Sequence, residues 1–355
     1  MSYIEVNGNT IIENLKKVLD TCQKEAVSLT VVTKFFTSDP SVVRLLRENG
    51  VTSIADTNPS NFERPGLVPP EACGRSLIKT TLEYIRRIPG IAPACRAQRL
   101  FVSDEVLLDA VEALGENLRP QTVLVAEAGD LRDGFYVEDI PAVAERHRAA
   151  GICGLSANFG CLSGKMPDAA TVRELAACAA ALPPGGNAAP TVSVGGTVAY
   201  PLLKSGALSG AVTELRMGEG IFFGYDSSSG LPLEGFGRDA FTLYGEIVEI
   251  REKQIAPVKD AGHTATGGEA APRKTGRRLC AVLDFGLLGA SMYDIAPLEP
   301  GVELAGQTYD FTIADITESR VPHRTGGLIP FRAIYASAAR AFLNPYIGRK
   351  LNAPC

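Results

Sequence analysis

The chain has 355 residues, 45% of them hydrophobic, with a net charge of −5 and a sequence pI of about 5.5; length suggests two domains, and this much apolar sequence can bury a large core. Mild acidity without a basic block excludes nucleic acid and acidic membrane as main partners. No apolar run nears the roughly 20 residues that span a bilayer, and Met1–Glu5 lacks the basic-then-apolar form of a signal peptide, so a cytoplasmic, enzyme-sized protein is expected.

In chain order, Tyr3–Val6 reads as a short strand. A helix follows, with Ile11, Ile12, Leu15, Val18 and Leu19 at helical spacing. The uncharged stretch Val27–Thr33 suits a parallel strand covered on both faces, and it delivers Lys34 at its end. A lysine there either reaches solvent or works as an amine nucleophile toward a carbonyl compound. Asp39 and Pro40 then form a helix start, and the helix Ser41–Asn49 stops at Gly50.

Strand-like segments recur at 52–55, 75–79, 99–102, 122–126, 152–157, 191–194 and 213–216. Helical stretches lie between them at 81–87, 105–114, 141–149, 169–181 and 199–205. With the Lys34 strand this makes eight alternations, which predict a closed (β/α)8 barrel of parallel strands in an α/β fold. Active sites of such barrels form where strands end. The polar residues at those ends include Lys34, Arg132, Asn158, Ser193, Thr197, Arg216 and Glu219. Ser193, Gly195, Gly196 and Thr197 after the seventh strand, and Gly218 and Glu219 after the eighth, suit a phosphate, since glycines admit a ligand to the backbone and hydroxyls donate. Plain turns and helix caps are the competing roles for each.

Beyond residue 235 the texture changes to mainly β, with strand-like runs at 240–253, 278–288, 302–304, 309–316 and 328–334. The expected division is a barrel over 1–235 and a β-rich domain over 236–355, with a mobile loop at about 259–277. The eight cysteines form no CxxC pair and the three histidines stand at no ligand spacing. Free thiols are therefore expected, and no metal.

A lysine ending the first barrel strand, an arginine ending the eighth, phosphate-type loops and a following β domain together resemble the fold type III pyridoxal-phosphate enzymes. Within this alanine racemase superfamily the chain is most similar to the ornithine racemase branch. The resemblance runs through Val31–Lys34, Ala55-Asp56, Gly129–Gly134, Gly154–Cys161, Leu215–Ile221, Asp239–Leu243 and Pro297–Leu304. It implies pyridoxal 5'-phosphate as cofactor and an amino-acid racemase or epimerase that inverts the α-carbon through an external aldimine and a carbanion. A decarboxylase or lyase of the same fold is the alternative, and a non-catalytic cofactor-binding protein a more distant one. Lys34 would hold the cofactor and move the α-proton, and Arg216 would face the pyridine nitrogen. Arg132 would meet the cofactor's phenolic oxygen or the substrate carboxylate. Asn158 would stand where alanine racemase has a ring-stacking histidine, while Ser193, Gly195, Gly196, Thr197, Gly218 and Glu219 would hold the phosphate. The resemblance also implies a homodimer in which the partner's β domain closes the barrel mouth.

One departure stands out. In alanine racemase a tyrosine of the β domain supplies the second proton-transfer group, in a segment corresponding to 284–289. Here the residue after the glycine of that segment is Leu287, which cannot move a proton. Tyr309 is the expected replacement, with Asp310, Tyr293 and Cys161 as further candidates, and a core position in a strand over 309–316 is its competing role.

Overall fold

The computed structural model describes every residue except 70, 184–188, 257–261, 264–273 and 354–355. Much of the loop expected at 259–277 lies outside the described residues. The chain divides into two compact units, one of Ile11–Gly237 and one of Met1–Thr10 with Arg238–Cys355. No helix among the described residues is long and apolar enough to cross a membrane.

The chain opens with strand β1 (Tyr3–Asn7) and helix α1 (Gly8–Lys24). The barrel strands are β2 (Ser28–Val32), β3 (Ser53–Asp56), β4 (Gly74–Leu77), β5 (Arg99–Val102), β6 (Gln121–Glu127), β8 (Ile152–Asn158), β9 (Thr191–Gly195) and β10 (Glu214–Met217). A two-residue strand β7 (Phe135–Tyr136) extends the sheet beside β6. Pairing runs β5-β4-β3-β2-β10-β9-β8-β6, and β5 pairs again with β6. Every one of these pairs is parallel, so eight strands close into the expected barrel.

The helices between strands are α2 (Pro40–Glu48), α3 (Leu82–Arg87), α4 (Glu105–Glu112), α5 (Ile140–Arg146), α6 (Ala169–Ala180), α7 (Tyr200–Lys204) and α8 (Glu219–Phe223). Local chemistry accounts for their starts. Asp39, Thr81, Asp104 and Asp168 each accept a hydrogen bond from a backbone N–H of the first turn. Between β3 and β4 a single 3-10 turn, Pro59–Glu63, replaces a full helix. A small hairpin of β11 (Tyr225–Asp226) and β12 (Leu231–Pro232) follows α8.

The other unit is an antiparallel sheet ordered β15-β18-β13-β14-β17-β16. Its strands are β13 (Phe241–Ile255), β14 (Gly276–Leu283), β15 (Ile295–Pro297), β16 (Glu303–Gln307), β17 (Thr312–Asp315) and β18 (Leu328–Ala333). Phe241, Leu243 and Ile247 alternate inward along β13, the period of a sheet with one buried face. Phe285 meets Phe331 edge-on at 5.8 Å, and Phe241 meets Phe342 of helix α9 (Tyr335–Leu343) at 6.2 Å. The first ten residues differ from the sequence reading, which groups them with the barrel. Strand β1 pairs with β13 and, in parallel, with the last strand β19 (Gly348–Asn352). A strand of four or five residues carries no mark of which sheet it joins.

Candidate active site

Strand β2 ends at Val32, and Lys34 begins a single 3-10 turn, Lys34–Phe36, with its side chain exposed. The next two residues, Thr37 and Ser38, hold φ of 55° and 47°, a region that costs a residue with a β-carbon about 1–2 kcal/mol. Their surroundings compensate. Asp56, fully buried at the end of β3, accepts from Ser38 Oγ at 2.7 Å and Thr33 Oγ1 at 3.3 Å on one carboxylate oxygen. On the other it accepts from Asn58 N at 2.9 Å and Asn61 Nδ2 at 3.0 Å. Phe35 and Phe36 pack on Phe222 of α8 at 5.1 and 5.0 Å. The lysine thus rides on a backbone clamped on both sides.

Arg216 lies inside the barrel on β10, buried, with three acceptors. Nε donates to Ser193 Oγ at 2.9 Å, Nη1 to Asn158 Oδ1 at 3.2 Å and Nη2 to the Ala157 carbonyl at 3.0 Å. Its guanidinium carbon stands 4.7 Å from the centre of the Phe101 ring, a cation–π arrangement. Burial lowers its pKa to about 10, with Arg132 and Arg99 adding to the fall and Glu214 opposing it; the group stays protonated at neutral pH. Glu214, two residues earlier on the same face, accepts from Ser193 Oγ, from Thr30 Oγ1 at 2.9 Å and from Arg99 Nη2. Ser193 therefore passes the charge of Glu214 on to Arg216.

Arg132 follows β6 on a loop held to its neighbour by Asp130. The Asp130 carboxylate accepts from Cys161 N at 2.8 Å and Leu162 N at 3.0 Å, both on the loop after β8. Arg132 Nε donates to Asp133 at 2.7 Å. Burial works against its charge, but Asp133, Cys161 and Asp130 outweigh it and hold the guanidinium above its usual range. Burial pushes the Cys161 thiol up, while the charges of Arg132, Lys34 and Arg216 all pull it down. Arg216 lies on β10, which pairs with β2, the strand that leads into Lys34, and Asp130 ties the loop of Arg132 to that of Cys161 after β8, so these groups gather at the ends of barrel strands. A cluster of this kind suits a ligand with anionic groups and a carbonyl within reach of the lysine.

The residues assigned to a phosphate divide. The Ser193 hydroxyl is engaged between Arg216 and Glu214 inside the barrel, so it positions Arg216. Gly195 is likewise committed, because a β-carbon there would stand 2.7 Å from both Arg216 Nη2 and Asn158 Oδ1. Gly196, at φ +107°, donates its N–H to the Arg216 carbonyl at 3.1 Å. Thr197 Oγ1 accepts from Gly220 N at 2.9 Å and so ties the turn after β9 to the start of α8. The Glu219 side chain is taken up by Ser227 N at 3.0 Å and by its hydroxyl, and Gly218 forms the N-cap of α8.

In the β unit, Tyr309 is not a core strand residue. It lies in the turn between β16 and β17 and is 45% exposed. Leu287 N donates to the Thr308 carbonyl at 2.9 Å and Leu288 N to that of Tyr309 at 3.2 Å. Tyr309 is thus a direct neighbour of the position that Leu287 fills.

Sequence reasoning missed Glu214 and Arg99, and it gave Asp56 no role beyond its place at a strand end. A signal was present for the first two. Charged residues two positions from Arg216 and Phe101 on short barrel strands share their inward face, and an inward charge needs a partner.

Comparison with known proteins agrees with this architecture. No family model matches the chain. It is 24% identical to ornithine racemase of Acetoanaerobium sticklandii, over 98% of this chain and 99% of that one. It is also 24% identical to lysine racemase of Thermotoga maritima, over 96% of each. Among solved structures, alanine racemase from Streptomyces lavendulae superposes with a TM-score of 0.74 at 16% identity, covering 100% of this chain and 97% of that one. Alanine racemase from Bartonella henselae, with covalently bound pyridoxal phosphate, superposes with a TM-score of 0.71 at 12% identity, covering 99% of each. The structural likenesses establish the fold.

Proposed function

We propose that the chain is an amino-acid racemase of the alanine racemase superfamily that uses pyridoxal 5'-phosphate, a reading supported by its full-length likeness to ornithine and lysine racemases and by its alanine racemase fold. The observation that carries the cofactor assignment is a lysine amine just past the end of β2 and a buried, braced guanidinium on the paired strand β10, a donor set that fits an aldehyde on a ring with an acceptor nitrogen. When bound, the cofactor supplies an electron sink that makes the α-hydrogen of an amino acid acidic. Lys34 Nζ is the amine that holds the cofactor's aldehyde carbon and the group that moves the proton on one face. Arg216, protonated and braced by Ser193 and Asn158, takes the ring nitrogen. An arginine there keeps its own proton and leaves the sink weak, which suits reversible proton transfer and weighs against decarboxylation. Arg132 orients the substrate carboxylate or the phenolic oxygen. Thr197 and the Gly218-Glu219 start of α8 take the phosphate through backbone N–H groups, with Gly196, whose own N–H goes to the Arg216 carbonyl, leaving room for it.

The proton on the opposite face falls to Tyr309, the exposed phenol beside Leu287. A homodimer belongs to the same reading. Sedimentation that finds a fully active monomer defeats it.

The purified protein should absorb visible light when supplied with the cofactor. Borohydride should abolish that band and leave the label on Lys34. A panel of amino acids including ornithine, lysine and alanine, followed separately for chirality, carbon dioxide and ammonia, should show inversion alone. A colourless protein that takes up no cofactor overturns the reading, and release of carbon dioxide or ammonia without inversion redirects it to a decarboxylase or lyase.

A further inference from the structure

Away from the cleft, the outer surface of the barrel unit carries an arrangement that the racemase reading does not use. Helix α4 presents Glu105, Asp109 and Glu112 at helical spacing, on one face. His147, at the end of α5, is 6% exposed and faces all three carboxylates. Its Nε2 lies 3.1 Å from Glu105 Oε2, and Glu105 is held in turn by Arg146, at 3.0 Å from Nε and 2.7 Å from Nη2. A carboxylate only accepts, so Nε2 is the donor of this contact, and Nδ1 is the nitrogen turned to the other two carboxylates. Nδ1 is buried without a hydrogen-bond partner. It points at Asp109 Oδ1, 3.7 Å away, and Glu112 Oε2, 3.5 Å away.

Lone pairs that face each other repel unless positive charge lies between them. A proton on Nδ1 would bridge poorly, since 3.5 and 3.7 Å exceed the usual reach of about 3.2 Å for a nitrogen–oxygen hydrogen bond. A metal ion fits better. Bonds of about 2.0–2.2 Å in tetrahedral geometry put neighbouring ligand atoms about 3.4 Å apart. The three ligand atoms lie within 4.8 Å of one another, and Asp109, 71% exposed on its side chain, leaves the outer positions to water.

We propose that Asp109, Glu112 and His147 form a divalent-cation site of zinc type, with Glu105 orienting the imidazole from behind. One imidazole and two carboxylates suit zinc better than magnesium or calcium, which favour oxygen alone, and the carboxylate behind the histidine is the usual support for a metal-bound ring. The ion would fasten α4, which follows the strand of Phe101, to the segment that leads into the strand of Asn158.

The test is a zinc titration of the full chain against a chromophoric chelator, with thermal unfolding read alongside. One equivalent should bind and raise the unfolding temperature. The double variant Asp109→Asn/Glu112→Gln, altered only at exposed or half-exposed positions, should lose both effects, and Glu105→Gln should weaken binding about 10- to 100-fold. No saturable binding to the parent chain overturns the proposal, as does unchanged binding to the double variant. Cobalt(II) in place of zinc separates the cysteines, because a thiolate charge-transfer band in the bound spectrum would assign the ion to them and overturn it as well.

Discussion

Arg216 donates from Nη1 to Asn158 Oδ1 at 3.2 Å, through a gap that a β-carbon at position 195 would fill. The glycine that ends the seventh barrel strand thus serves a contact between two side chains.

The first prediction follows from that gap. In Gly195→Ala the new methyl would meet both groups at 2.7 Å, and they must part. Overpacking of this kind costs about 1–3 kcal/mol, so urea unfolding should shift by that amount, and cofactor titration should show weaker binding. Parent-like stability together with parent-like affinity would remove Gly195 from the site.

Glu214 provides a pH-dependent prediction. Burial raises its carboxyl pKa, but Arg99, Ser193 and Arg216 outweigh that and hold it below the usual range. A depressed carboxyl contributes stability above its unfolded pKa and loses it as pH falls through the folded value. Glu214→Gln leaves Arg99 without its charge partner, and breaking such a buried pair costs about 3–5 kcal/mol. The gap between parent and variant should be full near neutrality and should shrink once pH drops below the ordinary glutamate range. Urea midpoints measured across pH would show it, and a constant gap down to strong acid would count against the pairing.

Asp56 should matter more to the lysine loop than its distance along the chain suggests. Asp56→Ala strands the Asn61 amide and the Asn58 N–H, and it leaves the Ser38 and Thr33 hydroxyls only each other and the Ala55 carbonyl. Each unsatisfied buried group costs about 1–3 kcal/mol. Amide hydrogens of residues 37–39 should exchange markedly faster, and Asp56→Asn, which keeps one acceptor oxygen, should fall between. Unchanged exchange in Asp56→Ala would show that the aromatic packing of Phe35 and Phe36 holds the turn alone.

Tyr309→Phe removes a proton donor and little else from an exposed turn. In deuterated water the variant should no longer invert either enantiomer, while one enantiomer still exchanges its α-hydrogen through Lys34. Racemisation at the parent rate would pass the role to Asp310, Tyr293 or Cys161.

The barrel was legible in the sequence because its strands are short apolar runs at regular intervals, and their alternation with helices admits few closed topologies. Lys34 and Arg216 were legible as charges at the ends of such runs. The engagement of Ser193 with Arg216 and Glu214 was not legible, for a physical reason. A serine beside glycines at a strand end has the composition of an anion loop, and composition does not say on which side of the pleat a hydroxyl falls. Of the two roles open to Tyr309, the core strand position arose from the β-rich composition around it, whereas the chain turns there. His147 escaped notice as a ligand because its partners come from a helix well before it in the chain.

The linkage of Arg99, Glu214, Ser193 and Arg216 also limits how this barrel can change by single mutations. Replacing Arg216 with a carboxylate, the step toward a stronger electron sink, would set two acids against the one Ser193 hydroxyl and require the Asn158 amide to turn its NH2 inward. An acceptable route must first neutralise Glu214, and that change strands Arg99. Three positions on two strands would have to change in a workable order, so drift toward decarboxylation from this starting point is hindered at every first step.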